Sequence, residues 1–169
     1  IVILHSNVTH GAAAFGESCV GFDGAAAIRA RYEAGGAEVL LLDAGDFSQG
    51  QPIIDLYDGL TALEFMNAAG YDAAAIGNHE FDFSFVNLLA MAENADFPLV
   101  AANLTYRDGG DLVLEDNTVL TAGDVTVGVF GLATPETMTK ANPANTAEVS
   151  FGADAEELYD IAQAQVDAL

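Results

Sequence analysis

Two polar segments of this chain contain residue types that bind metal ions and transfer protons. They are residues 43–46 (Asp-Ala-Gly-Asp) and residues 77–82 (Gly-Asn-His-Glu-Phe-Asp). Each follows a short apolar run, at 39–42 and at 73–76. Apolar runs closed by glycine and polar residues predict buried strands that open into loops. Because ligands bind at the carboxyl ends of strands in open α/β sheets, the two segments predict a metal-dependent catalytic face.

Asp46 is the first candidate metal ligand. A carboxylate at a strand end can bridge two divalent ions about 3.5–4 Å apart, as in two-metal hydrolases. The structural alternative is a turn or helix-capping aspartate. Asn78 is a weaker signal, because an asparagine after Gly77 is by itself typical of a turn.

His79 and Asp82 are three residues apart, which places both side chains on one side of a helical turn. A carboxylate in that position can fix the imidazole tautomer and direct its proton toward a phosphate oxygen. Glu80 lies between them, and we expect its side chain to point elsewhere in a structural role. Asp43 is expected to orient backbone or ligands rather than to bind a metal.

A third polar segment, residues 5–11 (His-Ser-Asn-Val-Thr-His-Gly), follows the apolar run 1–4. The three segments in this order resemble the 5′-nucleotidase and 2′,3′-cyclic-nucleotide phosphodiesterase family, within the calcineurin-like metallophosphoesterases. That family has an apolar strand ending in His-Thr-Asn-Asp-x-His-Gly, then Asp-Ala-Gly-Asp and Gly-Asn-His-Glu-Phe-Asp. The resemblance covers almost the whole chain, since it continues through residues 50–52, 66–72, 102–103 and 131–136.

The resemblance implies a metal-dependent phosphoester hydrolase, in which water activated by two metals attacks a nucleotide phosphate. Asp46 would bridge two divalent ions, His10 would bind the first and Asn78 the second. His79 and Asp82 would be the catalytic pair, and Asn78 and His79 would also contact the substrate. Oxygen and imidazole donors suit manganese, zinc, magnesium or cobalt without selecting among them.

Val8 departs from the family pattern, which has an aspartate that binds the first metal at this position. Valine has no ligating atom, and even the loss of outer-shell partners lowers metal affinity about 10–100-fold. The alternative function is therefore a catalytically impaired pseudoenzyme, or a binding or scaffold domain, that lost the first metal site. A dinucleotide-binding domain would share the strand–helix pattern, but no Gly-x-Gly-x-x-Gly follows the first strand.

The elements that must position these residues alternate between strands and helices. This alternation predicts an α/β fold with a mainly parallel sheet covered by helices. The predicted strands are 1–4, 38–42, 73–76 and 98–101, the helices are 24–34, 56–69, 85–94 and 154–169, and a hairpin joins 118–121 to 125–130.

The resemblance implies a two-sheet sandwich flanked by helices (α/β/β/α) that is incomplete in this chain. Residues 1–169 are interpreted as the N-terminal part of the catalytic domain. The resemblance also implies that further metal ligands lie on later strands, and that residues 1–169 do not include the C-terminal nucleotidase domain that binds the substrate.

The composition limits the partners. The chain has 26 acidic and 4 basic residues, a net charge of −22, which excludes charge-driven binding to a nucleic acid polymer or an anionic membrane. Either a saline environment or the solubility of a secreted protein would explain this acidity. No apolar run approaches the roughly 18 residues of a membrane span. The expected partner is a nucleotide or other phosphoester substrate.

The resemblance implies an extracellular, periplasmic or cell-surface location. No signal peptide is visible ahead of the first strand, and we interpret the start at Ile1 as processed or cut.

Overall fold

The computed structural model describes residues 1–14, 16 and 19–169 of the chain. A 3₁₀ turn over His79–Phe81 accompanies the regular elements. In chain order these elements are β1 (Val2–Ser6), α1 (Gly21–Ala34), β2 (Val39–Asp43), α2 (Pro52–Asp55), α3 (Leu60–Ala69), β3 (Ala73–Ala75), α4 (Phe85–Asn94), β4 (Leu99–Val100), β5 (Thr105–Tyr106), β6 (Asn117–Ala122), β7 (Val125–Phe130), α5 (Thr137–Lys140), β8 (Val149–Ser150) and α6 (Ala155–Ala168).

The central sheet is parallel and has the strand order β1-β2-β3-β4. Helices α1, α3 and α4 connect its successive strands, which confirms the α/β prediction. The end of β1 pairs with the end of β2, since Ser6 is in register with Asp43. The loops that follow the first three strands therefore leave the sheet at one edge, as the polar segments predicted.

One apolar cluster lies between the sheet and helices α1 and α3. It includes Phe22, Leu41, Leu63 and Met66, all at most 2% exposed. Tyr71 belongs to this cluster, and its ring centroid lies 6.1 Å from that of Phe22. Burial of each such side chain contributes about 1.5–3 kcal/mol, so this cluster anchors β2 beneath the loop that carries Asp46.

A second apolar cluster holds the 3₁₀ turn against the rest of the protein. Phe81 is completely buried there, together with Leu88 of α4, Leu104 and Phe151. The rings of Phe81 and Phe151 meet edge to face, with centroids 5.3 Å apart. The burial of Phe81 therefore fixes the 3₁₀ turn that also carries His79.

The later strands form small antiparallel units. The predicted hairpin is confirmed as β6 and β7, paired from Asn117 with Phe130 to Ala122 with Val125. The pairing of β5 with β8 was not predicted. Strands of two residues are too short to show a hydrophobic period.

The predicted helix 56–69 is wrong at its start. The chain instead forms the short α2, a turn, and then α3 from Leu60. Asp58 and Gly59 separate the two helices with left-handed φ values of 53° and 82°. The prediction for 85–94 is confirmed, and the Ser84 side chain caps that helix by accepting a hydrogen bond from the Asn87 N–H.

Within the described residues, no helix is both long enough and apolar enough to cross a membrane.

Two glycines allow the loops after β2 and β3 to touch. A Cβ atom on Gly45 would lie 2.4 Å from the backbone nitrogen of Gly77. A Cβ atom on Gly77 would lie 2.2 Å from Oδ1 of Asp46. Only glycine permits backbones to approach this closely, so both positions are needed to bring the two polar segments together.

The replacement Gly45→Ala should therefore destabilise the protein more than Gly36→Ala, which is its matched control. Both glycines are left-handed, with φ of 96° and 85°, so alanine is strained by about 1–2 kcal/mol at either position. A Cβ atom on Gly36 meets nothing within 4 Å, whereas on Gly45 it meets the neighbouring backbone. Urea unfolding measures the loss of stability in each variant. Equal losses in the two variants would contradict the proposed contact between the loops after β2 and β3.

Candidate active site

Backbone hydrogen bonds join the loops after β1, β2 and β3. The Val8 N–H donates to the Gly45 carbonyl and the His10 N–H to the Asp46 carbonyl, both at 3.0 Å. The His79 N–H donates to Oδ1 of Asp46 at 2.9 Å. The structure therefore brings the predicted site residues of all three loops to one place.

Three residues of these loops have left-handed backbones although they are not glycine. They are Val8, His10 and Asp46, with φ values of 52°, 46° and 59°. Such conformations cost about 1–2 kcal/mol per residue and persist where the surroundings fix them, often at functional sites. Aspartate and asparagine tolerate this region far better than a β-branched residue does, so Val8 fits its own backbone poorly.

The side chains of His79 and Asp82 are hydrogen-bonded across the 3₁₀ turn. Nδ1 of His79 lies 2.6 Å from Oδ2 of Asp82, and both side chains are about one quarter exposed, at 26% and 28%. An ionised carboxylate only accepts hydrogen bonds, so the contact requires a proton on Nδ1 of His79. Nε2 has no protein partner among the described residues. This nitrogen is therefore the one available to a ligand.

His10 lies beside this pair. The ring centroids of His10 and His79 are 4.9 Å apart, with the rings inclined by 66°. The His10 ring makes no hydrogen bond to any described residue. Its nitrogens are therefore available to a ligand, as is Nε2 of His79.

The side chains at the site supply part of a ligand set for a divalent cation. Oδ2 of Asp46 and the side chain of Asn78 make no hydrogen bond within the described part of the chain. A carboxylate, an amide and an imidazole from His10 are the donor types of such sites. Val8 contributes no donor, and the described residues contain no metal-type group of three or more His, Cys, Asp or Glu side chains. The set suits an ion between Asp46 and Asn78 better than a complete first site.

Known proteins provide an independent comparison. No protein-family model matches the chain. The chain is 36% identical to UshA of Salmonella pullorum over 170 residues, which is 96% of this chain and 30% of that protein. It is 35% identical to the 5′-nucleotidase of Vibrio cholerae over 164 residues, 93% of this chain and 29% of that protein. The chain thus spans about 30% of the length of these curated relatives.

Solved structures agree with these relatives. The 5′-nucleotidase precursor of Thermus thermophilus matches 95% of this chain and 34% of its own, with a TM-score of 0.74 and 29% identity. The chain is homologous to 5′-nucleotidases over almost its whole length. The calcineurin-like phosphoesterase YfkN of Bacillus subtilis shares the fold, with a TM-score of 0.77 at 23% identity over 94% of this chain and 55% of its own. The family resemblance predicted from the three motifs is confirmed.

Two buried carboxylates lie beneath the candidate ligands. Asp43 is 4% exposed, and it accepts hydrogen bonds from Ser6 Oγ at 2.5 Å and from the Gly45 N–H at 2.7 Å. Burial raises the pKa of Asp43 to about 7, against the effect of these two hydrogen bonds. The contact with Gly45 confirms that Asp43 orients backbone. Burial also raises the pKa of Glu80, while the Gly77 N–H bond opposes that shift.

Asn145 is a site-supporting residue that the sequence did not reveal. Its Nδ2 group donates to the carbonyls of Phe81 and Asp82, at 2.8 and 3.0 Å. It lies in the loop after α5 and connects that loop to the 3₁₀ turn. Lys140, the lone lysine of the chain, ends α5 and pairs with Glu136 at 2.9 Å.

The pKa of Asp43 predicts a pH dependence of stability. Because the folded chain holds this proton up to about pH 7 and the unfolded carboxyl releases it near its ordinary pKa of 3.8, the free energy of unfolding should fall as pH rises between these values. Asp43→Asn should remove that fall, since its amide can still accept from Gly45 and donate to Ser6 Oγ.

Urea unfolding of the metal-free protein at pH 4.5 and pH 7.5 measures this difference. Asp160→Asn, which removes an exposed charge on α6, is the control. If Asp43→Asn shows the same pH dependence as the unaltered protein, the buried carboxyl does not titrate in this range.

Proposed function

We propose that this chain forms part of a metal-dependent phosphoester hydrolase of the 5′-nucleotidase type, acting on a nucleotide phosphate. The observation that carries the proposal is the meeting of three loops, which places Asp46 beside His79 and its partner Asp82. Homology to 5′-nucleotidases over almost the whole chain supports the same reaction class.

Two divalent ions are proposed at the site. Asp46 and Asn78 would hold one, and His10 with Asp46 would hold the other. When bound, these ions supply Lewis acidity toward the phosphoryl oxygens and the attacking water. They would also make the electrostatic potential at the site positive, in a chain whose net charge is −22. A phosphate can then approach the site.

His79 and Asp82 act on the phosphoryl group and its leaving oxygen. With Nδ1 of His79 bonded to Asp82, an imidazolium carries its second proton on Nε2, where it can be donated. Asp82 also holds the ring in one orientation, as the 2.6 Å contact indicates. Removal of one donor to a developing charge typically lowers kcat about 10²–10³-fold.

The complete protein is proposed to continue into a C-terminal nucleotidase domain that recognises the nucleotide base. The support is the length of the relatives, of which this chain spans about 30%. A location outside the cytoplasm is proposed from the family resemblance.

Hydrolysis of an aryl phosphate by this chain, with and without manganese, tests the proposal. Turnover should require manganese and should fall by about 10² or more in His79→Ala, because Nε2 is lost as a donor. His5→Ala is the matched control, since His5 is exposed on β1. Turnover that persists in His79→Ala would contradict the assigned role. Absence of turnover with every metal would favour either an impaired protein or a site that needs ligands from the rest of the complete protein.

The impaired alternative rests on Val8, which is 46% exposed and offers no donor where the family has aspartate. The replacement Val8→Asp should tighten manganese binding about 10-fold or more, because it restores a charged ligand. It should also raise stability, since aspartate tolerates a φ of 52° better than valine does.

Calorimetric titration with manganese measures the affinity. Val119→Asp adds the same charge at an exposed position on β6, with 58% exposure in the unaltered side chain, and should leave the affinity unchanged. Manganese affinity that is equal in Val8→Asp and Val119→Asp would refute the assignment of the first loop.

A further inference from the structure

Glu80 makes an unusual set of hydrogen bonds for a buried carboxylate. It is 0% exposed. Its Oε2 accepts from the backbone N–H groups of Gly77 and Asp46, at 2.7 and 2.9 Å. Its Oε1 accepts from the N–H groups of Phe47 and Ser48, at 2.9 and 3.1 Å. All four donors are backbone groups.

These four bonds use the full capacity of an ionised carboxylate. Each oxygen has two lone pairs and receives two hydrogen bonds, so every acceptor position is filled. Charge-assisted hydrogen bonds are about twice as strong as neutral ones. An amide cannot replace this group, because its NH₂ would face two backbone N–H donors.

The bonds also cross between two loops of the candidate site. Three consecutive donors, at residues 46–48, belong to the loop after β2, and the fourth belongs to Gly77 in the loop after β3. Asp46 in turn accepts from the His79 N–H. Each of the two loops therefore donates hydrogen bonds to the other and accepts hydrogen bonds from it.

We infer that Glu80 is a positioning residue, which sets the separation of Asp46 and Asn78 and thereby the divalent-metal affinity of the site. Glu80 acts through the backbone of the loop that carries Asp46, and its own oxygens contact no ligand. The inference rests on the proposed function, because it requires that Asp46 and Asn78 bind a metal.

Manganese affinity of the folded variants, measured by the electron paramagnetic resonance of free Mn²⁺, tests the inference. Glu80→Gln should bind manganese about 10–100-fold more weakly than the unaltered protein, the range found for outer-shell partners of metal ligands. Circular dichroism gives the folded fraction at each temperature. Glu80→Asp keeps the charge but shortens the side chain, and it should bind with intermediate affinity.

Met66→Ala separates positioning from general stability. Met66 is 0% exposed in α3, so its truncation destabilises the core without touching the bonds of Glu80. It should lower the melting temperature yet leave manganese affinity within about threefold, because distant independent sites have additive effects. Equal weakening in Met66→Ala and Glu80→Gln would overturn the inference.

A metal-independent measurement gives a second test. In the metal-free protein, amide hydrogen exchange at residues 46–48 and 77 should accelerate in Glu80→Gln and stay slow in Met66→Ala. Unchanged manganese affinity in a folded Glu80→Gln overturns the inference and leaves the proposed function intact. Failure of the unaltered protein to bind manganese overturns both.

Discussion

The contact between the loops after β2 and β3 is the constraint on which the candidate site depends. Parallel pairing of the strands brings the two loops to one edge, but the side chains meet because Gly45 and Gly77 allow the backbones to touch. The carboxylate of Glu80 then satisfies N–H groups from both loops. The candidate metal site, whose residues are far apart in the sequence, thus depends on contacts between backbone groups as well as on the proposed ligands themselves.

In the absence of a cation, electrostatic repulsion among the carboxylates of the candidate site destabilises this arrangement. Asp43 and Glu80 are buried, Asp46 and Asp82 lie above them, and the chain carries a net charge of −22. Backbone N–H groups stabilise the buried carboxylates, and oriented amides of this kind act as fixed partial positive charges. Among the described residues, the carboxylates of Asp46 and Asp82 each have one donor, the His79 N–H and Nδ1 of His79 respectively, and bound metal ions would supply further positive charge.

Sequence patterns predicted the parts of this fold that local physics determines. The sheet followed from apolar runs closed by glycine, and α4 from a helical pattern that begins after Ser84, the residue that caps it. The left-handed turn at Asp58 and Gly59 was missed although Asp-Gly is a turn signal, because the helical spacing of apolar residues in 56–69 was interpreted as one helix. Asn145 was missed because it contacts Asp82 across 63 residues. The partners of Glu80 could not be predicted either, because they are backbone N–H groups, which every residue except proline carries.

The central claim is that Asp46 and Asn78 bind a divalent ion at the carboxyl edge of the sheet. Paramagnetic broadening of amide resonances by substoichiometric Mn²⁺ tests it directly, because the acidic surface of α6 provides competing carboxylates in the same molecule. The account predicts that resonances of residues 46, 78 and 79 broaden first, before those of Glu156 and Glu157. Broadening that begins on α6, or that spreads evenly over the acidic surface, would contradict the claim.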